Sequence, residues 1–193
     1  MTLTAQQAFR VVSAVFNLCG RRRGAIGETV TQTEHALQAA YLARKFNERP
    51  PLVIATLCHD IGHLIPFGMS MLDRDGNDLG NMFHEQDGAE FLRNLGYPRA
   101  VTEPIRLHVL AKRFVITTNK ENIGKLSAAS RASFEQQGGI MSDRLMRDFE
   151  QHEYFADAMK LRNYEDQAKN VEITHELPGM ADYQYTNRLA WVY

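Results

Sequence analysis

Apolar positions recur along this chain with the period of a helix, and short polar clusters punctuate them. Thr4-Ala5-Gln6-Gln7 is a capping-box pattern, with Phe9, Val12, Val15 and Phe16 following at helical spacing to a stop near Gly20. Thr31-Gln32-Thr33-Glu34 is a second capping box. The helix it opens runs to about Phe46 and places Ala39, Leu42 and Phe46 roughly on the face of His35, so His35 is expected to look inward. Pro50-Pro51 starts a third helix. Its run from Leu52 to Leu57 is apolar throughout and predicts burial on every side. That run ends at Cys58-His59-Asp60-Ile61-Gly62-His63 and would carry His59 and Asp60 into the interior.

Gly62, Pro66 and Gly68 then break the chain into a loop expected to reach about Asn81, long for a compact domain. Its Asp73, Asp75, Asn77 and Asp78 do not form a calcium loop, because Gly76 is misplaced and no closing glutamate follows. His84-Glu85 opens a helix ending at Leu95-Gly96, and Tyr97-Pro98 marks a turn and a new helical start. Thr102-Glu103-Pro104 reads as the cap and first turn of the helix that carries His108 and Lys112 on one face. Lys125 to Gln137 reads as a helix closed by Gly138-Gly139, and Ser142 caps the next. A last long helix carries Arg162, Glu165 and Asp166 before the pattern fades after Lys169. No strand-like alternation exceeds four or five residues. The expectation is an all-α bundle of about eight helices, one domain over 1–193 with its core at about 20–170 and a tail over 171–193.

Composition narrows the function. A net charge of −1 offers no global basic field for nucleic acid or a membrane surface, and no apolar run has the length of a membrane span. Cys19 and Cys58, with no secretory signal, suit a reducing, cytoplasmic setting in which both thiols are free. The run Arg21-Arg22-Arg23 reads as a solvated loop.

The candidate chemistry lies in the histidines. His35, His59, His84 and His108 stand at helix starts or ends, each 24 or 25 residues from the next, which is about one helix and one connection. All four could therefore face one cavity. Asp60 adds a carboxylate, and the pair Glu165-Asp166 offers another. Four imidazoles and two carboxylates exceed what one tetrahedral ion needs; they suit two octahedral transition metals sharing a bridging carboxylate.

The order His35, His59-Asp60, His84, His108 and a late acidic residue resembles the HD-domain superfamily, whose His-Asp pair binds metal. Most members are phosphohydrolases; a smaller branch resembles myo-inositol oxygenase and uses O2 at a mixed-valent diiron site. This chain is more similar to that branch, and within it to the 1-hydroxyphosphonate dioxygenases. The motifs that carry the likeness are Ile26-Gly27-Glu28, Thr31-Gln32-Thr33-Glu34-His35 and His59-Asp60-Ile61-Gly62-His63. After them come His108-Val109-Leu110-Ala111-Lys112-Arg113, Leu126-Ser127-Ala128-Ala129-Ser130-Arg131, Glu135-Gln136-Gln137-Gly138-Gly139 and Lys160-Leu161-Arg162. The likeness spans roughly residues 20–170.

The resemblance implies two iron ions, Fe(II)/Fe(III), held by His35, His59, Asp60, His84, His108 and an acidic residue, with Asp60 bridging and O2 as co-substrate. The sixth ligand in the family is an Asp; counting from Arg162 and back from Lys169 lands on Glu165, with Asp166 beside it, so the choice between them is open. Lys112, Ser130 and Arg162 match phosphonate-binding positions, where charge-assisted donors suit a dianion. His63, Gln32 and Glu28 match polar residues of the pocket, with His63 and Glu28 assigned to catalysis. Ala25 replaces a tyrosine found in some members and enlarges the pocket beside Glu28. That implies a small-molecule substrate with a quaternary ammonium, (R)-1-hydroxy-2-(trimethylammonio)ethylphosphonate, cleaved to glycine betaine and phosphate. Phe67, Phe83 or Tyr164 could add cation–π contacts. The alternatives are hydroxy-aminoethylphosphonate giving glycine, an HD-type metal-dependent phosphohydrolase, and a non-catalytic metal or ligand sensor.

Overall fold

The computed structural model describes residues 3–20, 30–66, 68–72, 74–76, 78–168 and 177–192. The all-α class holds: helices carry the structure, and the described strands are two short ones. Helix α1 (Ala5–Val15) and helix α2 (Gln32–Lys45) both start in complete capping boxes, Thr4 with Gln7 and Thr31 with Glu34. Reciprocal bonds of this kind satisfy two orphan donors and fix where a helix begins. A π-helical turn, Phe16–Gly20, ends the first helix, and the Thr33 hydroxyl donates to its Phe16 carbonyl at 3.2 Å.

Helix α3 (Pro50–Cys58) is the centre of the fold. Every residue from Pro51 to Cys58 is buried. A helix apolar on all sides can be stable only if other helices surround it. Here α2 packs on it, as do α5 (Arg99–Thr118), α8 (Phe155–Gln167) and the C-terminal α9 (Gln184–Ala190). Leu52, Ile54, Leu57 and Ile61 are fully enclosed in the main core with Phe16, Leu92, Ile105 and Tyr183. Burying a side chain of that size contributes about 1.5–3 kcal/mol. A second cluster joins the far half of α5 to α7 (Asp143–Glu150) and α8, with Phe114, Phe149 and Phe155 meeting edge to face at 4.9 to 5.7 Å between ring centres. Among the described residues no helix is long and apolar enough to cross a membrane.

Three boundaries differ from the sequence pattern. Helix α5 begins at Arg99 and runs through Pro104 instead of starting there. The proline leaves one carbonyl of the preceding turn without its amide partner. The helix continues because its Pro104 region is buried, with α5 packed against α3, α4 (His84–Asn94) and α8. Residues Lys120–Lys125 form a 3-10 turn, and α6 spans Ala128–Gln136 under a Ser127 cap. The expected loop before His84 holds an antiparallel hairpin, β1 (Ser70–Leu72) with β2 (Asp78–Asn81). Beyond the point where the pattern fades, Met180 and Tyr183 of a 3-10 turn and Ala190 of α9 enter the main core.

Candidate metal centre

The site is assembled at the end of α3. The chain leaves the helix at His59, turns through Asp60 and tightens into a 3-10 turn at Ile61–His63. Helix α4 lies directly on that turn. A Cβ on Gly62 would stand 2.0 Å from the His84 carbonyl oxygen, and one on Gly88 would stand 3.0 Å from the Gly62 nitrogen. Close backbone approach is what brings His84 beside Asp60.

Four imidazoles converge there, and each is oriented the same way. The Nδ1 of His35 meets the Ala168 carbonyl at 2.7 Å, that of His59 the Thr56 carbonyl at 2.8 Å, that of His84 the Asn81 carbonyl at 3.1 Å, and that of His108 the Ile105 carbonyl at 2.7 Å. A carbonyl only accepts, so Nδ1 carries the proton and Nε2 of the neutral ring is a bare lone pair. Those lone pairs face each other, 3.2 Å apart between His35 and His59 and 3.0 Å between His84 and His108. The two oxygens of Asp60 divide between the pairs. Oδ2 lies 3.3 Å from His59 Nε2 and 3.9 Å from His35 Nε2; Oδ1 lies 3.5 Å from His84 Nε2 and 3.7 Å from His108 Nε2.

Glu165, and not Asp166, faces this cluster. Its ligand atom and those of His35 and His59 all lie within 4.8 Å of one another. One Glu165 oxygen accepts from Arg162 at 2.6 Å, while Oε2 is buried with no hydrogen-bond partner. Asp166 instead takes Arg162 Nε at 3.0 Å and Nη2. An orphaned buried carboxylate oxygen costs free energy unless something electropositive meets it. The bare Nε2 pair of His84 and His108, 3.0 Å apart, makes the same demand. The donor set therefore fits two cations, one in each pair of histidines, with Asp60 between them and Glu165 on the His35–His59 side.

The proton affinities tell the same story. Burial pulls His108 down to about 4 and His84 well below the ordinary imidazole value. Burial also pulls on His59, but the charge of Asp60 and its hydrogen bond outweigh it and push His59 up to about 9. Asp60 is held well below the carboxylate range by His59, against its own burial. Glu165, which burial would raise, is held at about 2 by Arg162, His108 and His59. Without metal, a proton on His59 Nε2 thus occupies the ground that a cation would take. Metal binding must displace it. Titrating Fe(II) into the metal-free chain at neutral pH is expected to release about one proton per chain. Calorimetry in two buffers of different ionisation enthalpy reads that number, and none released would contradict the charged His59.

The remaining sequence candidates fall around this cluster. His63 stacks on His84 at 3.9 Å between ring centres, but its Nδ1 accepts the Asn81 N–H at 3.0 Å. Its neutral tautomer is the reverse of the other four, with the proton on Nε2, so His63 suits a donor's role. Lys112 is buried one turn after His108 and donates to Ser133 Oγ at 2.8 Å and Gln137 Oε1 at 3.4 Å. The hydroxyl on Lys112 is thus that of Ser133, a residue the sequence motifs passed over. Ser133 donates in turn to the Ser130 carbonyl at 3.1 Å, and Ser130 gives its amide to the helix cap. Arg162 is buried between Glu165 and Asp166, whose bonds take three of its five N–H donors. Gln32 is buried at the start of α2 with Oε1 lacking a partner. Glu28, Ala25, the three arginines before them and Phe67 lie outside the described residues. Tyr164 points elsewhere: its hydroxyl donates to Glu48 at 2.8 Å and its ring stacks on Phe46. Burial pushes the Cys58 thiol up, which suits packing and not chemistry.

Comparison with known proteins agrees with this geometry. Residues 33–128 match the HD domain. The chain is 43% identical over 157 residues to a hydroxymethylphosphonate dioxygenase from Gimesia maris, covering 81% of this chain and 75% of that protein. It is 34% identical over 149 residues to a [1-hydroxy-2-(trimethylamino)ethyl]phosphonate dioxygenase (glycine-betaine-forming) from Leisingera caerulea, covering 77% and 74%.

Proposed function

This chain belongs to the HD-domain phosphonate dioxygenases, and we propose that it uses O2 to cleave the carbon–phosphorus bond of a 1-hydroxyalkylphosphonate at a diiron centre. The observation that carries the reading is the division of Asp60, one oxygen to each pair of converging Nε2 atoms. A carboxylate so placed could serve two cations, of which His35, His59 and Glu165 would hold one and His84 and His108 would hold the other. When bound, the metals supply redox chemistry with O2 and a Lewis acid for the substrate's oxygens.

The chain's own side chains do the rest. Lys112 and the two Arg162 N–H groups left over from its carboxylates give a phosphonate dianion charge-assisted donors. Glu165 joins that anion site to the metal site, because it bonds Arg162 through one oxygen and presents the other to His35 and His59. His63, with its proton on Nε2, stands beside Asp60 and His84 and would donate to an oxygen that gains charge. The reaction needs no external reductant: hydroxymethylphosphonate plus O2 balances to formate plus phosphate.

Within the class, hydroxymethylphosphonate is the first candidate. The relative of that name shares 43% identity against 34% for the trimethylamino enzyme. Tyr164, one of the aromatics offered for a quaternary ammonium, is engaged with Glu48 and Phe46. The trimethylammonio substrate is the second reading, supported by the Leisingera relative and by the small Ala25. The deciding experiment follows phosphate release from both compounds, and from the amino analogue, with Fe(II) in air and under argon. The expected result is O2-dependent release, with formate, and a preference of about tenfold or more for the hydroxymethyl compound, as a misfitted pocket discriminates on that scale. Release that ignores O2 would mean hydrolysis and end the oxygenase reading.

A further inference from the structure

Five hydrogen bonds meet at Asn81, a residue on the last position of β2 with no chemistry of its own. In an antiparallel pair the N–H and C=O of one residue point the same way. The hairpin bonds through its neighbour here, Met82 N–H to Met69 carbonyl at 2.7 Å, and Asn81 turns both of its groups toward the metal cluster. Its N–H reaches His63 Nδ1 at 3.0 Å, and its carbonyl receives His84 Nδ1 at 3.1 Å. Those two rings lie stacked, 3.9 Å apart with planes 18° from parallel. One main-chain residue therefore donates to one imidazole and accepts from the other. Nothing else in a histidine fixes which nitrogen is bare.

The side chain of Asn81 holds that main chain in place. Its Nδ2 donates to the Gly62 carbonyl at 3.3 Å and to Asp87 Oδ2 at 2.6 Å, and its Oδ1 accepts the Phe83 N–H at 3.0 Å. It thus ties together the turn that carries His63, the entry to α4 that carries His84, and the hairpin. Asn81 is 8% exposed, so these bonds are made away from water, where each counts for more.

We propose that Asn81 is the positioning residue of this centre: it sets opposite tautomers on two stacked histidines, leaving His84 Nε2 bare for a metal and His63 Nε2 protonated for donation. The proposal deepens the metalloenzyme reading and rests on it only for what the two rings are for. Its test needs neither phosphonate nor O2. Long-range proton–nitrogen-15 spectra of the metal-free chain should show His84 protonated at Nδ1 and His63 at Nε2. A proton on His63 Nδ1, or a bare His84 Nδ1, would overturn it at once, whatever the substrate proves to be.

Variants then ask whether the side chain is the device. Asn81→Ala is expected to weaken Fe(II) binding under argon by about 10–100-fold, the usual effect of losing a group that orients a ligand. Its His63 and His84 tautomers should become mixed, and kcat should fall with KM for the phosphonate within about twofold, because Lys112 and Arg162 are untouched. Asp87→Ala, a change at a half-buried position, should move the same readouts in the same direction by less, and it serves if the first variant unfolds. Either variant, folded and keeping both tautomers and wild-type Fe(II) affinity, would show that Asn81 does not position the centre.

Discussion

Asp60→Asn is expected to bind at most one metal ion per chain and to lose about a thousandfold or more in kcat, the scale of several kcal/mol that a missing metal forfeits. Asp60 offers Oδ1 to His84 and His108 and Oδ2 to His59 and His35, all at 3.3 to 3.9 Å. An asparagine keeps that shape but replaces one oxygen with an NH2 group. The amide would donate to the bare Nε2 atoms of whichever pair it faces, filling with hydrogen bonds the space that a cation needs. Metal analysis after reconstitution with Fe(II), beside single-turnover rates, measures both effects. A variant that retains two irons and near wild-type turnover would show that Asp60 does not bridge.

The same residues show how far a sequence carries. His35, His59, His84 and His108 can be grouped from the sequence alone, because helix-length spacings return the chain to one side of a bundle. The capping boxes at Thr4 and Thr31 fixed two helix starts, since the interaction is local and its partners are three residues apart. The choice between Glu165 and Asp166 could not be made in the same way. Both are within reach of Arg162 on one helix, and only the direction of α8 against α2 and α3 decides which of them meets the histidines. That Lys112 meets Ser133 could not be read from the sequence for a related reason: Ser130 and Ser133 are three apart on α6, and only the way α6 lies against α5 selects the hydroxyl that Lys112 meets. Asn81 gives a faint signal, an Asx turn to Phe83 just before a histidine, but its proposed role joins main-chain groups that any residue possesses to side-chain bonds with Gly62 and Asp87 that only the folded chain brings near. The hairpin was missed because three residues of β1 are too few for alternation to show. The long α5 was cut at Pro104 because local propensity cannot count the tertiary packing that carries a helix past a proline.

The closest approach in the site sets the other large effect. Gly62→Ala is expected to lower stability by about 2–4 kcal/mol and activity by about a hundredfold or more. The added Cβ would lie 2.0 Å from the His84 carbonyl oxygen and 2.7 Å from its carbonyl carbon and Cα. These are backbone atoms, so no rotamer change relieves the contact; α4 must move away from the 3-10 turn. Gly88 marks the same close approach one turn on, where an added Cβ would stand 3.0 Å from the Gly62 nitrogen. The movement separates His84 from Asp60 and from Asn81 together, and displacement by an ångström is enough to cost a reaction two orders of magnitude. Gly124→Ala is the control, since a Cβ there meets nothing within 4 Å and the residue lies far along the chain in a 3-10 turn. Thermal unfolding with and without Fe(II), compared across the two variants, separates the causes. A general intolerance of alanine would lower both, whereas the contact at His84 lowers Gly62→Ala alone and removes most of its stabilisation by metal. Wild-type stabilisation of Gly62→Ala by Fe(II) would show that the turn and α4 are not as close as the geometry of the site requires.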